Sequence, residues 1–499
     1  MSLIFPRSLI VLLAGIATSS TALASDTFTV TTSADNGNNV APTVGSLRWA
    51  IKQANANTNL STINFALSGC PVLFNMGGTV LPDITTDVVI NGYSAAGSSV
   101  NTSFGRFDAT LCIILNGNGT LTEGLHKSGS GHLEVSGLGF AGFTDAAIRI
   151  DSSSSTTSNN IVAGNQIGGF ALLDQNKDGV RISGTAGQTI IGGEDHPDWV
   201  NLIVGNTGAG VFIDAVGGDT YVVNDLIGLG PDGESANGNN VGVYVVNSGG
   251  NTVQGCFISN NLTQGVLIVG PGSVGTWVNR NVIGTTSTGG NAPNGAEGVQ
   301  ITFGAFANTV GATRPSDGGV TGDVSYGNVI YANGAAVWVT DSAGRRNSVL
   351  ANHEMYSAIL GLPVDLAGFG PTANDALGDD VQNYPVMLHA YRTLSAEWVE
   401  GTLDAYAGEE FRLDLYWSPG TFTGRGNGAY FAGIGTSGMT DATGHTHFWV
   451  KLPAVAYPSV GRISATATRT NGDTSEMGDG GPEIVGDMIF REDFEALQQ

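Results

Sequence analysis

Two short runs place titratable side chains close enough in sequence to act together. In Glu194-Asp195-His196-Pro197-Asp198-Trp199, the carboxylates of Asp195 and Asp198 flank the imidazole of His196. Such a trio can relay protons as a general acid and base, or help hold a cation. The same composition also suits a solvated turn. In Gly444-His445-Thr446-His447, alternation places both imidazoles on one face of a strand, which provides two metal ligands but not a complete site. Asp379-Asp380 is the one Asp-Asp pair, and it falls in a Gly/Pro/Asp-rich stretch. No Cys/His spacing suggests zinc, so neither a metal nor a cofactor is expected.

The elements that position these residues belong to an unusual chain. Lys and Arg total 19 against 43 Asp and Glu, a net charge of −24, with no local basic patch. Nucleic acid is therefore not an expected partner. Only 12% of residues are charged while 75 are Gly, so stability must come from backbone hydrogen bonds and stacked side chains. Residues 1–24 read as a secretory signal peptide: Arg7, the apolar run Leu9–Ala17, then Ala22-Leu23-Ala24 before Ser25. A secreted product (extracellular, cell surface or periplasm) without a transmembrane segment is expected. In an oxidising compartment Cys70 and Cys112 can form one disulfide, while Cys256 in "GCFIS" suits a small buried hydrophobe.

Between 179 and 356 the chain repeats. The bare unit is Gly242–Gln264, GVYVVNSGGNTVQGCFISNNLTQ, in which Val243/Val245, Val253 and Phe257 mark three short alternating pulses. The first pulse, G-V-x-I, recurs with starts at 179, 210, 242, 265, 298 and 336, spaced 31, 32, 23, 33 and 38 residues. Insertions at the corners account for the longer units, among them the loop that carries Asp195, His196 and Asp198. Three strands in 23 residues fit one turn of a right-handed parallel β-helix, whose coils must stack to bury an inner face. Asn206, Asn260, Asn333 and Asn352 recur at the turns and are expected to form ladders between coils. The fold class expected is all-β: a parallel β-helix over 68–364, preceded by a cap and first strand at 25–67.

An open solenoid end exposes strand edges and core. Ser46-Leu47-Arg48-Trp49-Ala50-Ile51-Lys52-Gln53-Ala54-Asn55 supplies a cover. Leu47, Ala50, Ile51 and Ala54 share one helical face, Arg48, Lys52 and Gln53 the other, and Ser46 can cap the start. "STINFAL" (61–67) is then expected to begin the first strand. The segment "SLRWAIKQAN…STINF" resembles the N-terminal cap of many secreted bacterial parallel β-helix proteins, which read Cys-Ser-Leu-Arg-Glu-Ala-Ile, then Ala-Asn and an Ile-x-Phe strand. Gly45 and Trp49 replace the cysteine and glutamate. The resemblance covers about 45–360 and implies architecture and a cell-surface setting rather than an activity.

After a linker at 365–385, alternating runs at 396–405, 410–417, 429–434, 446–452 and 461–469 read as an antiparallel, immunoglobulin-like β-sandwich within 386–480. The tail, 481–499, is similar to the Ile-Phe-x-Asp-Gly-Phe-Glu ending of some secreted xanthomonad proteins.

Parallel β-helices host polysaccharide lyases and hydrolases, but fold alone does not license activity. The Gly-His-Gly and Arg-Ile-Lys tripeptides of polygalacturonases are absent, and Arg314-Pro315-Ser316-Asp317 matches the pectate lyase arginine motif poorly. The residue between Val and Ile of each first pulse points outward, giving the column Arg181, Phe212, Tyr244, Leu267, Gln300, Trp338. Phe212, Tyr244 and Trp338, with Arg181 and Asp214 as polar neighbours, form a candidate stripe for stacking sugar rings. A loop or the linker covering the stripe is the alternative. Two classes of function follow: non-catalytic binding of polysaccharide, cell-surface glycan or another surface, or a lyase or hydrolase acting on the β-helix face.

Overall fold

The computed structural model describes residues 26–481, 485 and 486, apart from 152–158, 172, 186, 218, 313–323, 358–361, 369, 371, 376–380, 393–395, 420–429, 454–460, 479 and 480. Residues 1–25, the Arg314 run, Asp379-Asp380 and the tail from 487 lie outside the described residues.

Three parallel sheets of 11, 10 and 9 strands wind around one core, and from Glu123–Ser128 onward successive coils add a strand to each sheet. This is the right-handed parallel β-helix expected from the repeat. The third sheet shows why the repeat reads as it does. Val180, Val211, Val243, Val266, Val299 and Val337 pair in sequence across neighbouring strands. All six are fully buried. They stack like on like along the interior, and each buried side chain contributes roughly 1.5–3 kcal/mol. The glycine opening each pulse is a packing requirement. A Cβ on Gly242 would lie 2.4 Å from the Gly265 carbonyl oxygen of the next coil.

The third pulse runs one residue out of phase with the sequence reading. Phe257 is half-buried and faces away from the core, while Ile258 faces inward. A strand of two residues carries no periodicity, so its parity is not readable from alternation. Phe257 packs instead against an outer satellite of Phe107, Val200, Leu202, Val204, Leu226, Leu229 and Ala292.

The start of the solenoid differs from expectation in two ways. Asp26–Val30 is the first strand and pairs in parallel with Ser61–Phe65, so the helix lies within the first coil rather than before it. The helix Leu47–Asn55 begins where the Trp49 amide donates to Ser46 Oγ at 3.1 Å, and it buries Leu47, Ala50, Ile51 and Ala54. Arg48, expected on the exposed face, is also buried. Its guanidinium meets Asp35 twice at 2.7 Å and donates to the carbonyls of Thr79 and Val80 at 2.7 and 2.6 Å. Burial alone would raise the Asp35 pKa, but hydrogen bonds from Arg48, Gly37 and Gly77 hold it below the usual range. Gly45 adopts φ +78°, and a Cβ there would sit 2.4 Å from Thr31 Oγ1. Trp49 lies edge-on to Phe28 at 6.2 Å. Cys70 and Cys112 are joined by a disulfide, and Cys256 is a buried free thiol.

Two buried amide ladders run along the turns. One links Asn176, Asn206, Asn239, Asn261, Asn294 and Asn333. At each step one Oδ1 accepts from the preceding rung's Nδ2, at 2.7–3.1 Å over these five bonds. Asn261, not Asn260, is the rung; Asn260 has φ +59° and shapes the turn beside it. Asn352 ends a second ladder through Asn281 and Asn328.

At the far end the expected sandwich forms, with strands Ala396–Asp404 and His445–Pro453 in one sheet and Glu410–Pro419, Tyr430–Met439 and Gly461–Arg469 in the other. Val386–Arg392 and Val485–Gly486 complete the first sheet. The sandwich is docked against the solenoid. Ser348 Oγ donates to the Gly472 carbonyl at 2.6 Å, the Val349 amide to Thr474 Oγ1 at 3.0 Å and the Leu366 amide to Glu476 Oε1 at 3.2 Å. Tyr416 and Met477 enter the solenoid core. The start of the expected linker is itself solenoid: Val364–Ala367 is the last strand of the third sheet.

Asn294→Ala removes the acceptor of the Asn261 amide and Nδ2 (3.0 and 2.9 Å), leaving the buried amide unpaired and Nδ2 with only its longer bonds to the Ile227 and Ser259 carbonyls (3.3 and 3.4 Å). Chemical denaturation should show a loss of about 1–3 kcal/mol; a loss below ~0.5 kcal/mol would mean the ladder contributes nothing net. Ile51→Asp puts a charge into the fully buried face of the cap, and light scattering should show aggregation at concentrations where the parent is clear.

Candidate functional site

The third sheet presents its outer face along the solenoid axis. Its central outward column, in strict register, is His126, Arg149, Arg181, Phe212, Tyr244, Leu267, Gln300, Trp338 and Asp365. At ~4.8 Å per strand these nine positions span roughly 38 Å. Arg181, Phe212, Tyr244, Leu267, Gln300 and Trp338 are all half-buried, so the stripe is neither core nor fully open; Asp214, on the next outward row, is exposed.

The side chains of the stripe touch one another. The Arg181 guanidinium lies 4.3 Å from the centroid of the Phe212 ring, occupying one ring face. Phe212 and Tyr244 meet edge to face, 5.3 Å apart with an 85° interplanar angle. Phe212 therefore holds its neighbours in place, and Tyr244 is the ring better placed to meet a ligand. Further along, Gln264 Nε2 donates to Gln300 Oε1 at 2.9 Å and to Glu297 Oε2 at 3.2 Å. Trp338 Nε1 donates to the Ala367 carbonyl at 3.3 Å. Beyond it the column closes: Asp365 is fully buried and accepts from the Gly370 amide at 3.3 Å. Burial first, then the nearby Glu476 and Glu297 charges, push its pKa up to about 7.

The opposite end carries a cluster that the sequence reading missed. His126 Nδ1 is 3.0 Å from Asp83 and its Nε2 3.4 Å from Asp151. Arg149 Nε is 2.6 Å from Asp151, and its Nη1 lies 3.3 Å from Asp145 and 3.6 Å from Glu123. Arg181 and Lys177 each approach Asp145 at 3.6 Å. Interaction of the imidazole with the accepting Asp151 carboxylate raises the His126 pKa, with Asp83 adding to it against the opposing effect of burial. Burial works to raise the Asp151 pKa, but hydrogen bonds from His126, Ser183 and Arg149 bring it well below the usual range. The result is a network of imidazole, guanidinium, ammonium and carboxylate groups on three successive coils. The signal was present in "GLHKS" (124–128) and "AIRID" (147–151), which share the alternation of the later pulses but lack the Gly-Val start.

The other candidates lie elsewhere. Asp195, His196 and Asp198 sit on a corner between the first and second sheets, remote from the third-sheet column. His196 and Asp198 are 3.7 Å apart with side chains 59% and 43% exposed, and His196 stacks on Trp199 at 5.2 Å. Asp195 takes φ +56°, a turn conformation. On the sandwich, His445 pairs with Asp404 at 2.7 Å and His447 with Glu400 at 2.8 Å, so the two imidazoles have different partners. Glu400 also meets His389 at 2.7 Å. Among the described residues no group of three or more His, Cys, Asp or Glu is arranged to hold a metal ion, and no helix is long and apolar enough to cross a membrane.

The His126 network has a measurable signature. Because its folded pKa lies above the ordinary 6.5, the stabilisation from imidazolium is fully present below 6.5 and lost as pH rises through the raised value. In an NMR titration His126 should have its midpoint above 6.5, and Asp151→Asn should lower it. A midpoint unmoved by that substitution would mean the ion network is not formed in solution.

No protein-family model matches the chain, and no curated protein matches it. Solved structures with similar folds include tailspike protein 2 from Escherichia coli O157:H7 bacteriophage CAB120, at 12% identity and TM-score 0.25 over 85% of this chain and 64% of that one. The match thus spans less than two thirds of that tailspike's length. Geobacillus virus E2 ORF18 matches at 11% identity and TM-score 0.29, over 90% of this chain and 75% of that one. Tailspike protein gp49 from Acinetobacter baumannii bacteriophage Fri1, described as a capsular polysaccharide depolymerase, matches at 9% identity and TM-score 0.24, over 88% of this chain and 80% of that one.

Proposed function

We propose that this protein binds an extended polysaccharide along the outer face of the third sheet, acting outside the cell at a cell surface or in a matrix. The observation that carries the reading is the half-buried column in which charged groups (His126, Arg149, Arg181) lead without a break into ring and amide side chains (Tyr244, Gln300, Trp338). A linear ligand lying along the axis meets a hydrogen-bonding group or a ring on nearly every coil. Sugars present both hydroxyls and apolar C–H faces, and the column offers partners for each.

A second reading rests on the His126 cluster. Three coils bring an imidazole between two carboxylates with an arginine beside one of them, and a protonated imidazole next to an ionised carboxylate can serve as acid and base. Hydrogen bonds from His126, Ser183 and Arg149 hold Asp151 well below the usual carboxylate range, whereas glycoside hydrolysis uses a carboxylic acid to protonate the leaving oxygen. Non-catalytic binding is the simpler fit to that chemistry.

A glycan array combined with a reducing-sugar assay separates the two readings. Bound polysaccharide recovered intact supports the binder; product release abolished by His126→Gln and Asp151→Asn supports the enzyme. For a ligand found in this way, Tyr244→Ala and Trp338→Ala should each weaken binding about fivefold, on the order of 1 kcal/mol per ring, at an unchanged melting temperature. If both substitutions instead lower the melting temperature and no glycan binds the parent, the stripe serves packing and the proposal fails.

A further inference from the structure

The second amide ladder contains two rungs that are not asparagine. It runs Asn165, Asn201, Asp225, Cys256, Asn281, Asn328 and Asn352. At the asparagine rungs the geometry repeats. Oδ1 accepts from the amide and Nδ2 of the rung before it, as when Asn165 donates to Asn201 at 3.0 and 3.2 Å and Asn281 to Asn328 at 2.9 and 3.0 Å. Nδ2 also donates to a first-sheet carbonyl of the preceding coil: Asn201 to Val162 at 2.8 Å, Asn281 to Val253 at 2.8 Å and Asn328 to Val278 at 2.9 Å. Even Cys256 keeps the pattern, its thiol donating to the Val222 carbonyl at 3.5 Å.

Asp225 reproduces half of this. Its Oδ1 accepts from the Asn201 amide and Nδ2 at 2.7 and 3.0 Å. Its Oδ2 stands where every neighbouring rung has a donor, and it is buried without a hydrogen-bond partner. Register identifies the carbonyl it should meet. Ile191 lies between Val162 and Val222 in the first sheet, so its carbonyl takes the place that theirs take for Asn201 and Cys256. A carboxylate oxygen facing a carbonyl oxygen in a dry interior is repulsive, whereas a protonated one completes the ladder.

We propose that Asp225 occupies its rung as a neutral carboxylic acid, with Oδ2–H donating to the Ile191 carbonyl, and that this rung is a built-in alkaline release point of the solenoid. The groups acting on Asp225 are Asn201 from the coil before and Cys256 from the coil after, and neither supplies a cation. Burial pushes the Asp225 carboxyl up to about 8, against the opposing hydrogen bonds from Asn201. Burial, then the Asp225 charge, raises the Cys256 thiol well above its ordinary value, so it keeps its proton at neutral pH and adds no second charge beside Asp225. The sign follows from linkage. The unfolded chain gives up this proton near ~3.9 and the folded chain only near about 8, so the folded state is favoured most below ~3.9 and loses that advantage as pH rises to about 8.

The test compares the parent with Asp225→Asn, which restores the donor without a titrating group. The melting temperature of Asp225→Asn minus that of the parent should grow from about pH 4 to about pH 8 by roughly 5 °C or more, then level off. A difference that stays flat across this range, or a variant less stable than the parent at about pH 8, would overturn the proposal. If Asp225→Asn does not fold, infrared spectra keep the idea testable. In an Asp365→Asn background, which removes the other strongly raised aspartate, a protonated-carboxyl band should persist at neutral pH and vanish as pH rises past about 8. Absence of that band at neutral pH would overturn it equally.

Discussion

A parallel coil has no partner for its backbone or its turn amides until another coil lies on it, and the rest of this structure depends on meeting that constraint in register. Strand pairing handles the straight segments. The turns, where a loop would ordinarily turn to water, are instead held by side-chain amides that imitate a backbone ladder. Asn239, Asn261 and Asn294 each satisfy groups on two adjacent coils, which fixes the vertical alignment of the sheets between them. The same alignment brings Arg181, Phe212 and Tyr244 into side-chain contact across three successive coils. The outer face is ordered because the inner turns are.

The two ends solve the edge problem differently. At the first coil a helix covers the core and Arg48 ties the preceding loop to the segment at 79–80. At the last, an independent sandwich does the same work, with Tyr416 and Met477 extending the core and Glu476 accepting from the amides of Leu366 and Thr372. The sandwich thus has a second role besides whatever its outer sheet contacts. One of its sheets faces its own core on one side and the solenoid on the other, which explains why Arg412, Asp414 and Tyr416 are as buried as the apolar residues between them.

How much of this was legible depended on repetition. The G-V-x-I pulses, their spacing and the amphipathic cap announced a capped solenoid, and the outward column followed from alternation alone. What escaped was local or non-repeating. The parity of Phe257 turned on a two-residue strand, and Asn260 and Asn261 differ by one position in an Asn-Asn pair that no periodicity separates. The burial of Arg48 depended on Asp35, which no helical pattern names. The His126 cluster lay on coils whose pulses lack the Gly-Val start, and its partner Asp83 comes from another part of the chain. Docking of the sandwich depends on single contacts between distant segments, and these leave no pattern in the sequence.

The coil Gly242–Gln264 carries no insertion, yet it contributes one strand to each sheet and one rung, Asn261 or Cys256, to each ladder. It is therefore a unit of measure. A chain built this way changes reach in whole steps of ~4.8 Å, because adding or dropping such a unit returns the path to the same three corners and leaves both ends unaltered. The outer face behaves like a ruler whose graduations are coils. The span it offers is an integer fixed by the number of repeats, and a fraction of a step would bring none of the interior columns back into line.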